Sequence, residues 1–132
     1  METFESDTLR SMAEQGLKIA KWKNESNLFV LFAKEYPDAI YQYHCDWLGL
    51  QSLDVYIPSL RVGIEYQGEQ HYRPIDFFGG EQAYKEVVIR DRRKADLCRS
   101  NGVTLIYWRY DEPISKAKLT QKIKDGLANG NV

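Results

Sequence analysis

Leu53-Asp-Val-Tyr-Ile-Pro-Ser-Leu-Arg-Val-Gly-Ile-Glu-Tyr-Gln-Gly-Glu-Gln-His-Tyr72 reads as two short strands joined by a tight turn. Leu53, Val55 and Ile57 alternate with Asp54 and Tyr56, and Val62, Ile64 and Tyr66 alternate with Gly63, Glu65 and Gln67. Pro58 and Ser59 supply the turn, because proline cannot donate to a central ladder. Pairing Ile57 with Val62 in an antiparallel register sets Asp54 opposite Glu65. Carboxylates opposed in this way lie about 5 Å apart at Cβ and repel one another. One reading places a hard divalent cation, Mg²⁺ or Mn²⁺, between them. The plainer reading leaves both solvated on the wet face of a hairpin.

Outward from this ribbon, the preceding chain predicts a meander. Ile40 to Leu48 is expected as a first strand, with Tyr41, Tyr43, Cys45 and Trp47 alternating with Gln42, His44 and Asp46. Before it lies an amphipathic helix capped by Asn24 or Ser26 and ending near Tyr36, ahead of Pro37. Leu28, Phe29, Phe32 and Tyr36 form its buried stripe. Glu25 projects from the first turn on the same side, either answering the helix dipole or aimed at the ribbon. Residues 1–23 are expected as an N-terminal arm, with a short helix over Thr8 to Gln15 that Gly16 ends.

After the ribbon, Gly68 breaks the strand, and His71 follows as a general-base candidate or a surface residue. Arg73 to Gly80 predicts a flap-like loop. A long helix is expected from Glu81 to Asn101, stopped by Gly102, with Tyr84, Val87, Val88, Ala95 and Cys98 as its apolar stripe. Asp91 lies within that stripe and requires partners, because burying a lone charge is costly. Arg90, Arg92, Arg93, Lys94 and Arg99 concentrate positive charge here, either as a solvated face or as a phosphate track. Val103 to Tyr110 predicts a fourth strand. A final helix, capped by Ser115, carries Leu119, Ile123 and Leu127, and residues 129–132 form a frayed tail.

With 132 residues, 43% of them hydrophobic, the chain has material for one domain and its core. A net charge of −1 gives no overall basic field, so nucleic-acid binding must rest on a local patch. Cys45 and Cys98 show no zinc spacing. No leader and no membrane-spanning run is apparent, so a soluble, intracellular, cytoplasmic protein is expected.

The order helix, three meandering strands, helix, strand resembles the PD-(D/E)XK nuclease superfamily. Asp54-Val-Tyr-Ile-Pro58, Ile64-Glu-Tyr-Gln-Gly-Glu-Gln-His-Tyr72 and Asp76-Phe-Phe-Gly-Gly80 are similar to a branch containing the very-short-patch repair endonucleases. Phage-type homing endonuclease domains share the same core, and the resemblance covers roughly Asn24 to Tyr110. It implies an α/β, restriction-endonuclease-like core (αβββαβ) over residues 24–128, with a mixed four-stranded sheet flanked by helices. It further implies that Asp54 and Glu65 hold Mg²⁺ or Mn²⁺, that Glu25 matches an additional acid, and that the protein cuts DNA. Leu53 stands where the family has proline, and Gln67 where it has lysine. Lys94 is the candidate for the relocated lysine, His71 for the base, and Arg73, Arg90, Arg92, Arg93 and Arg99 for contacts to DNA. Specificity is expected from a homodimer or a larger complex. The alternative is a catalytically decayed nuclease fold that binds nucleic acid, and a third reading is a metal-free scaffold.

Overall fold

The ribbon folds in the expected register. In the computed structural model, which describes residues 3–75 and 79–129, strands β2 (Leu53–Ile57) and β3 (Val62–Gln67) pair antiparallel through Ile57↔Val62, Tyr56↔Gly63 and Val55↔Ile64. The turn between them closes with Leu60 N–H donating to the Ile57 carbonyl and Arg61 N–H to the Pro58 carbonyl. Arg61 takes φ 53°, and its guanidinium donates to the carbonyls of Asn101 and Gly102. Those bonds tie the turn to the end of the helix that leads into the last strand.

Strand β1 (Ile40–Tyr43) pairs antiparallel with β2, and β4 (Thr104–Arg109) runs parallel to β3. The result is a mixed four-stranded sheet in the order β1-β2-β3-β4. A parallel neighbour requires a crossover, and helix α2 (Gly80–Ser100) supplies it. Strand β3 is therefore paired on both edges and covered on both faces, and all six of its residues are buried. Val62, Ile64 and Tyr66 join Leu28 and Phe32 of helix α1 (Thr3–Glu35) and Leu119 and Ile123 of helix α3 (Lys116–Asn129) in the larger core cluster. By strand alternation, Gly63, Glu65 and Gln67 turn to the other face, where α2 lies. A smaller cluster there joins Leu48, Leu53, Cys98 and Val103.

Several expectations need correction. Helix α1 is continuous over 33 residues, with no break separating an arm from residue 24 onward. Gly16 lacks the left-handed φ of a helix-ending glycine, so it only weakens the helix, by about 1 kcal/mol relative to alanine. Asn24 and Ser26 do not cap: Asn24 donates to the Tyr66 hydroxyl at 3.0 Å, and Ser26 Oγ donates back to the Trp22 carbonyl at 2.9 Å. Strand β1 stops at Tyr43, and Asp46–Leu48 form a 3₁₀ turn that buries Leu48. Val88 and Leu127, expected on apolar stripes, are 40% and 44% exposed. Ser115 does cap α3, its Oγ accepting from Lys118 N–H at 3.2 Å. The loop residues 76–78, and within the tail residues 130–132, lie outside the described residues. Among the described residues both cysteines are free thiols, and no helix is long and apolar enough to cross a membrane.

Helix α3 meets the sheet at a position that admits no side chain. A Cβ on Gly126 would lie 2.6 Å from Ile106 Cδ1 and 2.9 Å from Cγ1. Replacing a helical glycine by alanine ordinarily stabilises by about 1 kcal/mol. Here overpacking against buried Ile106 reverses the sign, and Gly126→Ala is expected to destabilise by about 1–2 kcal/mol. Urea denaturation checks this, and a raised midpoint would show that α3 is free to slide.

Candidate functional site

The strand pairing opens where two carboxylates intervene. One residue beyond Val55↔Ile64, Asp54 stands opposite Glu65, and side chains replace the ladder bonds. Asp54 N–H donates to Glu65 Oε2 at 2.8 Å, and Tyr66 N–H donates to Asp54 Oδ2 at 2.8 Å. Each acid is thus held by the other's strand, leaving Asp54 Oδ1 without a hydrogen-bond partner among the described residues. Glu65 Oε1 accepts from the Lys94 ammonium, delivered from α2.

Glu25 comes from α1 to the same place. It is 9% exposed and pairs with Lys21 Nζ at 3.7 Å, one helical turn away. Burial first, and the charge of Asp54 second, push the Glu25 carboxyl up to about 7 against the pull of Lys21. The same two causes in the same order push Glu65 up to about 8 despite Lys94. Near neutral pH both of these carboxyls therefore hold protons in large part, and Asp54 stands between them.

A cleft of about 650 Å³ opens over Asp54 and Glu65 between α1 and α2, and Glu25 is not among the residues that line it. Asp54, Glu65 and Lys94 line it together with His71, Arg90 and Arg93. The structure therefore gathers most of the side chains singled out from sequence. Gln67 lies below them, 7% exposed. Arg73 pairs with Glu69 and is 66% exposed, while Arg99 pairs with Asp96 at 3.3 Å. Neither Arg73, Arg92 nor Arg99 lines the cleft.

Two contributors were not expected. Asp91 finds its partners here: His71 Nδ1 lies 2.8 Å from Asp91 Oδ2, and Gln67 Nε2 donates to that oxygen at 3.3 Å. Gln51, on the connection into β2, lines the cleft and donates to the Arg90 carbonyl at 3.1 Å. The sequence signal for Asp91 was an aspartate on an apolar helix stripe, whereas Gln51 carried none.

Among the described residues, no three Asp, Glu, His or Cys side chains form a ready-made metal cage. The donor set nonetheless fits a hard cation that needs only one or two carboxylates and completes its shell with water and phosphate oxygens. Asp54 Oδ1 is the oxygen open to such an ion, whereas Glu65 Oε1 would have to exchange its Lys94 ammonium for it.

Comparisons with known proteins bring relatives but no family. The chain is 37% identical over 73 residues to the uncharacterized protein 307L of Invertebrate iridescent virus 6, covering 54% of this chain and 37% of that one. It is 38% identical over 64 residues to the uncharacterized protein 033L of Invertebrate iridescent virus 3, covering 48% and 33%. It is 43% identical over 56 residues to the uncharacterized protein 094L of Frog virus 3, covering 41% and 36%. The matched stretch spans about a third of each relative's length. No protein-family model and no solved structure matches the chain.

Proposed function

We propose that the protein is a metal-dependent endonuclease that hydrolyses DNA phosphodiesters, built on a restriction-endonuclease-like core. One observation carries the reading: cross-bonded Asp54 and Glu65, Lys94 and His71 line one cleft flanked by Arg90 and Arg93. Acids, a fixed ammonium and an imidazole in one basic-rimmed cleft are the parts that phosphodiester hydrolysis requires.

Asp54 and Glu65 would hold Mg²⁺ or Mn²⁺, with Glu25 behind them. The bound ion would supply Lewis acidity and neutralise charge on the phosphate. The chain's own groups do the rest. Arg90 and Arg93 draw the backbone into the cleft, and Lys94 places positive charge beside Glu65. His71 accepts the proton of the attacking water as its oxygen bonds to phosphorus. The P–O ester bond then breaks, and the leaving oxygen takes a proton from solvent.

Incubation with supercoiled, branched and single-stranded DNA in Mg²⁺ and in Mn²⁺ tests this. Nicked or linear product, lost with chelator, is expected. DNA retention without cleavage of any substrate would favour the alternative, a decayed nuclease fold acting as a binding module.

The cleft also predicts which cations matter. Affinity for duplex DNA should fall with salt at a slope of about −0.9 per neutralised phosphate. Replacing Arg90 and Arg93 with alanine should weaken binding and flatten that slope by one to two such units, measured by fluorescence anisotropy. Replacing Arg92 and Arg99, which do not line the cleft, should leave it nearly unchanged. The reverse pattern would put the DNA on the other side of α2.

A further inference from the structure

We propose that Asp91 is a positioning residue that fixes His71 as its Nδ1–H tautomer and so presents a bare Nε2 to the cleft. The mechanistic use of that nitrogen rests on the nuclease reading above, whereas the tautomer itself does not. The argument begins with hydrogen-bond capacity. An ionised carboxylate only accepts, so both groups that meet Asp91 Oδ2 must donate to it. His71 Nδ1 lies 2.8 Å away and therefore carries a proton. Gln67 turns its amide nitrogen to the same oxygen at 3.3 Å, which leaves Gln67 Oε1 to accept from the Tyr72 hydroxyl at 2.6 Å. Only this orientation of the amide satisfies both neighbours.

The four groups come from three places: Gln67 ends β3, His71 and Tyr72 close the 3₁₀ turn Glu69–His71, and Asp91 sits mid-way along α2. Arg109 of β4 stacks over the Tyr72 ring at 4.3 Å and holds the outer end of the chain. Side-chain exposure is 15% for His71 and 28% for Asp91, so water does not easily replace these bonds. Among the described residues His71 Nε2 has no partner, and His71 lines the cleft. A neutral imidazole held in this way can accept one proton at Nε2, and Asp91 stabilises the imidazolium that results.

Gln67 thereby acquires a role that a lysine could not fill. Both ends of its amide are engaged, one with Asp91 and one with the Tyr72 hydroxyl, so it orients Asp91. A lysine at position 67 would pair with Asp91 and take the carboxylate from His71.

Long-range ¹H–¹⁵N correlation of the imidazole nitrogens at alkaline pH tests the inference. Only His44 and His71 contribute, and a His44→Gln variant assigns them. Wild-type His71 is expected to show a protonated Nδ1 and a bare Nε2. Asp91→Asn should shift the population toward the Nε2–H form, because its amide group can donate to Nδ1. A wild-type spectrum showing Nε2–H overturns the proposal by itself, even if the variant fails to fold. So does an unchanged tautomer in folded Asp91→Asn. If DNA is cleaved, Asp91→Asn/His71→Ala should be no slower than His71→Ala alone, and additive losses would remove Asp91 from His71's action. If no DNA is cleaved, the nuclease reading fails while the tautomer still decides the Asp91 inference.

Discussion

Asp54→Asn and Glu65→Gln are each expected to lower Mg²⁺-dependent DNA cleavage by at least about 10³-fold. A bound metal supplies several kcal/mol of charge stabilisation in such chemistry, and each 1.36 kcal/mol is a factor of ten. Asp54→Asn keeps an oxygen for Tyr66 N–H, so the strand contact survives while the charge goes. Folding provides a second readout, independent of cleavage. Glu65 is held near 8, chiefly by burial and then by Asp54, against an ordinary value of 4.5. Between these values the folded chain keeps a proton that the unfolded chain has lost, so stability falls as pH rises from about 4.5 through 8. Glu25, raised to about 7, adds to the same fall. Glu112 acts in a different window. Burial works against its charge but is outweighed by Arg109 N–H, Lys122 and Lys118, which hold it at about 2, so its contribution disappears only below its ordinary 4.5. Denaturation midpoints should therefore peak near pH 5 and decline toward pH 8.5. Glu65→Gln should flatten that decline, and Mg²⁺ should raise the wild-type midpoint more at pH 8 than at pH 5. Cleavage that persists in Asp54→Asn, together with a flat wild-type profile, would remove the metal from the site.

Local period and turn chemistry made much of this legible. Alternation over Leu53–Ile57 and Val62–Gln67, with Pro58 between them, determined the register, and the register determined that Asp54 faces Glu65. The α1 stripe of Leu28 and Phe32 also read correctly, because both are fully buried against the sheet. What failed was local signal overridden by distant partners. Asn24 resembled a helix cap, but its amide is used by Tyr66, 42 residues away. Gly16 resembled a helix end, but nothing there requires a left-handed residue, and the helix continues. Gln67 read as a missing lysine because sequence shows the residue two places after an acid and not the aspartate that comes over it from α2. In sequence the arginines of α2 form one patch. A helix turns 100° per residue, however, so Arg90 and Arg93 share a face that Arg92 does not. Spacing resolves this only once the cleft identifies which face matters.

Lys94→Ala is expected to cut cleavage at least ~100-fold, on the scale of losing one preorganised electrostatic contact to the transition state. The ammonium reaches Glu65 from a neighbouring helix, three residues along α2 from Asp91. The cleft thus has a fixed ammonium although position 67 is glutamine. The two positions are expected to be non-interchangeable. Lys94→Arg should recover little, because a planar guanidinium does not seat as a point charge on one carboxylate oxygen where the Lys94 side chain is only 15% exposed. Placing a lysine at 67 in the Lys94→Ala background should not rescue either, because the new ammonium meets Asp91 and takes it from His71. The pattern differs from that of a decayed enzyme, in which wild type would be inert and Gln67→Lys alone would switch cleavage on. Single-turnover rates for wild type, Lys94→Ala, Gln67→Lys and the double variant separate the two. Gain of activity in Gln67→Lys over an inactive wild type would make the chain a binding module, whereas loss in both single variants makes Lys94 the cation of a working site.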